Sequence, residues 1–245
     1  MIKELEDYNW FPQLFRHFQA AYIGSIIKWT KFYQPLVPVV QQLLNENKID
    51  KIQDLCSGSG MPAVFMQQQM SGHNKTILSD KFPEQSFANT ENVIYLNTET
   101  DVLLLQPERN TCYTMYNSFH HFTDSEQEQV LKNLQAANAP FVIAEILEPD
   151  FFTMIKIIFT TTLIQLLTAP FVKPFSLLRL LFTYIIPVNI FTVTYDGIIS
   201  VLKSKSVQQY QNLVNKTANG NYEMTVHKIN TWKGAITYIK GNPKK

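Results

Sequence analysis

The sequence predicts an α/β fold with a seven-stranded, mostly parallel sheet, and three features of the sequence lead to that prediction. Short apolar segments alternate with helical segments between residues 49 and 150, which is the pattern of parallel strands joined by helical crossovers. A glycine-containing turn directly follows the first of these strands. At the carboxyl end, two strand-like segments are separated only by a short loop, which predicts an antiparallel hairpin at one edge of the sheet.

The 245 residues fit a single domain that we divide into four parts. Residues 1–48 form an N-terminal helical cap, because apolar residues recur at helical spacing from residue 10 to residue 47. Residues 49–150 form the core with its binding loop, and residues 151–200 form an apolar helical insertion. Residues 201–245 contribute the last helix and the hairpin.

The individual elements are predicted in chain order from apolar periodicity and from the residues that start or stop helices. Pro62 fits the first position of a helix directly after the glycine turn. Ser125 precedes Glu128 by three residues, which is a capping-box pattern and predicts a helix start at Ser125. The predicted strands cover 52–55, 76–79, 92–96, 111–116, 141–147, 222–228 and 235–240, and the predicted helices cover 62–70, 125–137 and 206–214.

The insertion differs from the rest of the chain in its charge. Charged residues make up 17% of the protein, against about 25% in a typical soluble domain, and residues 151–195 contain no acidic residue. The charged residues of this segment are Lys156, Lys173 and Arg179, and three prolines divide it into three predicted helices: Pro170, Pro174 and Pro187. A transmembrane helix needs about 20 apolar residues, and the uncharged runs 157–172 and 180–195 are shorter. We therefore expect the insertion to cover the active site and to contact a membrane or an apolar substrate without spanning a bilayer. The alternatives are a single tilted span over 151–172 and a buried helical subdomain.

The overall composition argues against several kinds of partner and site. The net charge of +1 lacks the basic field that a nucleic-acid partner requires. Cys56 and Cys112 are too few for a disulfide framework or a cysteine metal cluster. The acidic amino terminus does not resemble a secretion signal, so we expect a cytoplasmic protein that is membrane-associated where the insertion makes contact. The sequence does not indicate an oligomeric state.

The glycine turn at residues 56–60 is typical of a site for a nucleoside cofactor. Gly58 and Gly60 let the main chain approach a ligand, and the start of the following helix offers free N–H groups. Asp80 ends the next strand, where its carboxylate can accept hydrogen bonds from both hydroxyls of a ribose. Gly58, Gly60 and Ala63 also fit the dinucleotide pattern G-x-G-x-x-A, so the turn alone is compatible with NAD as well as with S-adenosylmethionine (SAM).

Further features favour SAM over NAD. Asp54, in the strand before the turn, can receive the amino group of the cofactor or brace the turn, and the C-terminal hairpin is not part of the plain dinucleotide-binding pattern. The sequence Asp-Leu-Cys-Ser-Gly-Ser-Gly at residues 54–60 resembles motif I of class I SAM-dependent methyltransferases, with Cys56 where a glycine is more usual. Residues 117–122, Asn-Ser-Phe-His-His-Phe, resemble the segment after the fourth strand of those enzymes.

The resemblance is to a bacterial branch of that superfamily and covers nearly all of residues 50–243. The matching stretches are 54–62, 114–122, 169–174, 195–197 and 238–243. This resemblance implies a Rossmann-like fold and SAM as the cofactor. The residues that it assigns to cofactor binding are Asp54, Cys56, Ser57, Gly58, Gly60, Asp80, Lys81, Thr98, Glu99, Asn117 and Ser118.

One contact departs from the family pattern. Methyltransferases of this type usually place Asp-Ala after the third strand, where the acid meets the adenine amino group. Aligning the chain on Asp101 and Val102 puts Thr98 and Glu99 at that place. We therefore expect Thr98 or Glu99 to accept this hydrogen bond.

The candidate catalytic residues are His120, His121, Tyr195 and Asp196, all expected at the end of the sheet where a substrate would enter. Neither histidine has an acidic or cysteine partner at metal-ligand spacing, so no metal site is predicted. The predicted function is SAM-dependent methyl transfer to a small or apolar, lipid-like acceptor. Two alternatives stay open: an NAD-dependent oxidoreductase, and a non-catalytic cofactor-binding factor at a membrane.

Overall fold

A seven-stranded mixed sheet forms the centre of the protein, as the sequence predicts. The computed structural model describes residues 2–72, 74–84, 87–220 and 222–244. The strands are Lys51–Leu55 (β1), Lys75–Ser79 (β2), Val93–Tyr95 (β3), Cys112–Tyr116 (β4), Phe141–Glu145 (β5), Tyr222–Thr231 (β6) and Gly234–Pro243 (β7). Their spatial order is β3-β2-β1-β4-β5-β7-β6, in which β1 to β5 run parallel and β7 runs antiparallel to both β5 and β6.

Helices cover both faces of this sheet. They are Gln13–Thr30 (α1), Val37–Asn47 (α2), Met61–Gln69 (α3), Asp124–Ala136 (α4), Phe151–Phe159 (α5), Gln165–Thr168 (α6), Leu177–Tyr184 (α7), Val188–Lys203 (α8) and Val207–Thr217 (α9). One apolar core joins α2 and α3 to the sheet, and a second joins α4 and α9 to its other face. β4 and β5 are buried along their whole length, and apart from Thr114 and Glu145 their sequences are apolar or aromatic without alternation.

Two sequence-based boundaries need correction. Helix α4 is capped by Thr123 instead of Ser125: the Thr123 hydroxyl accepts from the Glu126 N–H at 3.3 Å, and the Glu126 carboxylate accepts from the Thr123 N–H at 2.7 Å. Thr123 and Glu126 have the same three-residue spacing as Ser125 and Glu128, so the pattern fits both starts. The hairpin strands β6 and β7 each extend over 10 residues, several more than predicted.

The insertion forms three helical bodies, as its prolines predict. Phe151–Phe171 is one helical rod of 21 residues, in which a π-helical turn, Thr160–Ile164, joins α5 to α6. Its mean hydropathy of 1.6 makes it long and apolar enough to cross a membrane. Helices α7 and α8 follow, with a bend of 78° between them.

Candidate functional site

A cavity of about 500 Å³ lies at the carboxyl ends of β1, β2 and β4. This volume is within the range of about 300–1,000 Å³ that is typical of small-molecule sites. One part of the wall, the turn side, consists of the glycine turn, Asp80 and residues 100–103. The other part, the histidine side, consists of His120 and His121 with neighbours from the N-terminal segment, α1, α5 and α8.

The glycine turn needs unusual backbone angles at three positions. Cys56, Gly58 and Gly60 have φ angles of 55°, 51° and 74°. A Cβ on Gly58 would meet only the Cβ of Ala20, at 4.0 Å, so this residue borders open space. A Cβ on Gly60 would stand 2.6 Å from Cδ1 of Leu78, so Gly60 is required for packing beneath the turn. Within the turn, Cys56, Ser57 and Gly58 line the cavity, whereas Gly60 does not.

Asp80 lines the cavity next to this turn. Its carboxylate accepts hydrogen bonds from the N–H groups of Gly58 and Phe82, both at 2.8 Å. Burial raises the pKa of this carboxyl group above its ordinary value. Lys81 follows it on the cavity wall. The first and second strands therefore deliver their predicted residues to one place.

Asp54 lies behind the turn and does not line the cavity. It is 1% exposed, and its Oδ1 accepts from the hydroxyl of Thr114 at 2.6 Å. Its main-chain oxygen accepts from the hydroxyls of Ser57 and Ser79. Burial raises the pKa of Asp54 to about 7. Of the two roles that the sequence allowed, these contacts favour bracing of the turn over contact with a ligand.

The residues after β3 correct the sequence-based alignment. Thr98 and Glu99 are exposed and lie outside the cavity wall, whereas Thr100 and Asp101 line it. The Thr100 N–H donates to the main-chain oxygen of Asp80 at 2.9 Å, which brings Asp101 beside the turn. Asp101 is therefore better placed than Thr98 or Glu99 to face a ligand bound at the turn.

Asn117 and Ser118, after β4, complete the turn side. Asn117 has a φ of 53°, and the Ser118 hydroxyl donates to the main-chain oxygen of Cys56 at 3.3 Å. Both residues line the cavity. The loop after β4 is therefore tied to the loop after β1.

His120 is held by a buried carboxylate on the histidine side. Its Nδ1 lies 2.7 Å from Oε2 of Glu145, and the other carboxylate oxygen accepts from the Phe119 N–H at 2.6 Å. The side chains are 0% and 2% exposed. A carboxylate accepts hydrogen bonds, so Nδ1 of His120 is the donor to Glu145, and Nε2 faces the Glu4 carboxylate at 3.7 Å. That Nε2 has no hydrogen-bond partner among the described residues.

His121 belongs to an ion cluster with the N-terminal segment. Its Nδ1 lies 2.9 Å from Asp7 and its Nε2 lies 3.4 Å from Glu4. Burial opposes the charged imidazolium, but the neighbouring carboxylates of Glu4, Asp7 and Glu6 prevail and raise the pKa of His121 to about 10. Lys203 donates to Glu4 at 3.0 Å. His121 is therefore a cation at neutral pH.

These contacts overturn the sequence-based inference that the histidines lack acidic partners. Glu4, His120 and His121 each offer a ligand atom, and these atoms lie within 4.8 Å of one another, a spacing that could hold a metal ion. The Lys203 ammonium already lies 3.0 Å from the Glu4 carboxylate, so this cluster contains a cation of its own. The partners come from residue 4 and from the end of β5, where nothing in the local sequence around the histidines could reveal them.

Asp196 and Tyr195 are neighbours in α8, but only Asp196 faces the cavity. Asp196 lines the cavity, and its carboxylate accepts from the N–H groups of Leu5 and Glu6 and from the amide of Gln19. It thereby fastens the N-terminal segment over the histidine side. Tyr195 is 42% exposed and lies outside the cavity wall, so the structure does not bring it together with the other catalytic candidates. Successive residues of a helix point about 100° apart, which separates this adjacent pair.

No family model matches the sequence, and no curated protein matches it. Solved structures do match its fold. Human N-acetylserotonin methyltransferase in complex with SAM has a TM-score of 0.50 and 13% identity, over 87% of this chain and 53% of that one. The mitomycin 7-O-methyltransferase MmcR (TM-score 0.49, 10% identity, 87% and 54% covered) and the pyocyanin biosynthetic protein PhzM (0.48, 12%, 79% and 50%) are also similar.

The chain thus spans about half the length of these structures. At this low identity the comparison concerns architecture alone. The seven-stranded sheet with its antiparallel β7 is the class I methyltransferase fold.

Proposed function

We propose that this protein transfers a methyl group from SAM to a hydroxyl or amino group of a small or lipid-like acceptor. One observation carries the proposal: a single cavity joins a glycine turn of methyltransferase type to a buried histidine whose Nε2 has no hydrogen-bond partner in the described part of the chain. The shared fold of N-acetylserotonin methyltransferase, whose structure holds SAM, supports the choice of cofactor.

The turn side fits SAM residue by residue. Gly58 would let the main chain border the ligand, because open space lies where its Cβ would stand. Asp80 would hold the ribose, since a carboxylate has about four acceptor positions and the N–H groups of Gly58 and Phe82 use two. Asp101 would receive the adenine amino group. When bound, SAM supplies a methyl group on a positively charged sulfur that leaves as a neutral thioether.

His120 supplies the base. An acceptor hydroxyl or amine would have to lose a proton on methylation, and Nε2 of His120 is the atom that would take it. Glu145 keeps the proton on Nδ1 and stabilises the imidazolium that forms, which is the role of the acid in a histidine–carboxylate pair. Glu145 is thus a positioning residue, and His120 is the catalytic one.

The N-terminal segment contributes alignment and exclusion of water. Asp196 binds the main chain at Leu5 and Glu6, and Glu4 stands 3.7 Å from Nε2 of His120. This segment covers the histidine side, where the acceptor would lie. Holding two reactants in line is worth about 7–11 kcal/mol in general, so a methyltransferase needs little more than such a site.

The strand order does not support the alternative of an NAD-dependent oxidoreductase. The plain dinucleotide-binding sheet has the order 3-2-1-4-5-6, with a parallel sixth strand. Here the antiparallel β7 lies between β5 and β6. The turn pattern shared with NAD proteins is therefore set in a different sheet.

Turnover with isotope-labelled SAM tests the proposal. The full chain is incubated with methyl-deuterated SAM and either a lipid extract or a small-molecule extract, and the products are analysed by mass spectrometry. We expect a labelled product together with S-adenosylhomocysteine, in amounts that depend on the extract. Binding of SAM without any labelled product would reject methyl transfer and favour a non-catalytic cofactor-binding protein.

A further inference from the structure

The insertion at residues 151–195 has an inverted distribution of polar and apolar side chains. Its interior is mostly polar: the buried polar residues are Thr161, Gln165, Arg179, Thr183, Asn189 and Thr192, whereas the buried apolar ones are Ala169, Val172 and Val193. Its surface is apolar. Its most exposed large apolar residues are Phe151, Phe152, Phe171, Leu177, Ile185 and Phe191, each at least 68% exposed.

This polarity separates the rod Phe151–Phe171 from a core helix. Only 11% of its most apolar window is buried, whereas a core helix of similar hydropathy would be mostly buried. Monomeric soluble proteins rarely expose contiguous apolar patches of more than a few hundred Å². An apolar surface spread over three successive helical bodies therefore needs an apolar partner.

The rod is fastened to the domain along one side. The Tyr22 hydroxyl donates to the main-chain oxygen of Thr160 at 2.5 Å, and the Thr194 hydroxyl donates to that of Thr161. Gly197 of α8 permits the close approach, because a Cβ there would stand 2.7 Å from Ile157. If the rod crossed a bilayer, this side would detach from the domain and Thr161 and Gln165 would be exposed to lipid. Contact with a membrane therefore fits this fold only if the rod lies in the plane of the membrane.

The charges around the apolar surface favour an anionic membrane surface as its partner. Lys156 and Lys173 are exposed, residues 151–195 contain no carboxylate, and the carboxylate of the preceding Asp150 caps the start of the rod. Lys156 donates to the main-chain oxygen of Lys233 at the hairpin tip, next to Trp232, which is 92% exposed. Tryptophan and lysine are typical of the boundary between lipid tails and headgroups. Arg179 does not contribute, because its guanidinium is buried and binds the main chain at Val172 and Pro174.

We propose that residues 151–195 seat this protein on an anionic membrane surface, with the rod Phe151–Phe171 in the plane of one leaflet. A second copy of the chain fits this surface less well, because two such faces would oppose lysines with no carboxylate of the insertion to pair with them. The proposal stands on the surface alone and does not require methyl transfer.

Docking also has a consequence for the substrate, which rests on the proposed function. Ile157, Thr160, Thr161 and Val193 of the insertion line the cavity, opposite apolar residues of α1. The helix that would lie in the lipid is therefore also a wall of the histidine side. A membrane lipid with a polar hydroxyl or amino head would suit this site.

Vesicle flotation tests the docking. The full chain is mixed with vesicles of phosphatidylcholine containing phosphatidylglycerol, or of phosphatidylcholine alone, and the floated fraction is measured. We expect flotation with the anionic vesicles and at least about tenfold less bound protein for Phe152→Glu, Ile185→Glu and the pair together. Leu104→Glu is the matched control, because Leu104 is 79% exposed outside the insertion and should change nothing.

The outcomes separate the occupants of this surface. Release by carbonate at high pH supports in-plane docking, and retention until detergent is added would overturn it in favour of a spanning helix. A wild-type protein that does not float, or that forms an oligomer abolished by the same glutamates, would assign the surface to another partner and reject the proposal. Since no cofactor is present in this assay, its failure is distinguishable from failure of methyl transfer.

Discussion

The two sides of the cavity are constructed from different kinds of contact. On the turn side, main-chain groups of the loops after neighbouring strands make the contacts: the Gly58 N–H donates to Asp80, and the Ser118 hydroxyl donates to the main-chain oxygen of Cys56. On the histidine side, charged side chains meet from distant parts of the chain, as Lys203 and Glu4 do across 199 residues. The first side is the ordinary consequence of parallel strands that end at one edge, whereas the second depends on where the N-terminal segment lies.

This difference predicts a division of labour. Changes on the turn side should affect cofactor affinity, because that side is shaped to border a ligand. Changes on the histidine side should affect turnover or the pH dependence of stability, because that side holds the titratable groups. The following experiments test whether the two sides of the cavity differ in this way.

The largest effect is expected at His120. His120→Gln removes the base while a side chain of similar reach remains, and a general base typically contributes about 10²–10⁴-fold to the rate. We expect turnover to fall by that factor and the affinity for SAM to stay unchanged, measured by product formation and by calorimetry. Tyr195→Phe is the control and should retain full activity. Equal losses of affinity and turnover in His120→Gln would erase the distinction between the two sides.

The next largest effect is expected in the glycine turn, where Gly60 is needed for packing and Gly58 for the approach of the ligand. Gly60→Val places a Cβ 2.6 Å from Leu78 at a φ of 74°, so overpacking should cost about 1–3 kcal/mol of stability in addition to backbone strain. Gly58→Val meets open space, so it should abolish SAM binding with a smaller loss in melting temperature. Gly220→Val, with no atom within 4 Å, is the control. Normal SAM binding by a folded Gly58→Val variant would refute the assignment of the glycine turn to the SAM site.

The same contrast explains what could be predicted from sequence. The sheet, the glycine turn and Asp80 follow from local patterns that recur wherever a strand leads into a helix. Glu4 and Glu145 could not be found, because their positions beside His120 depend on tertiary packing. Thr98 and Glu99 were expected beside the ligand but lie outside the cavity wall, because the irregular segment after β3 offers no periodicity to fix an alignment.

A smaller effect concerns His121 and pH. Its pKa is raised from 6.5 to about 10 in the folded protein, so its charge stabilises the fold fully below pH 6.5 and progressively less as the pH rises towards 10. His121→Asn should therefore lower the melting temperature most at pH 6 and least near pH 10. Each kcal/mol corresponds to about 2–4 °C for a chain of this size. A difference between variant and wild type that is constant over this pH range would contradict the proposed ion cluster.

Calorimetric titration shows directly whether the cavity binds SAM. We expect the wild-type chain to bind SAM and to give no heat with NAD. Asp80→Ala should bind SAM at least about tenfold more weakly, since each hydrogen bond to a charged group is worth about 1.5–3 kcal/mol. Glu99→Ala, which removes an exposed carboxylate outside the cavity, should bind like the wild type. Wild-type protein that binds NAD in place of SAM, or an Asp80→Ala variant with unchanged affinity, would contradict the account of this site.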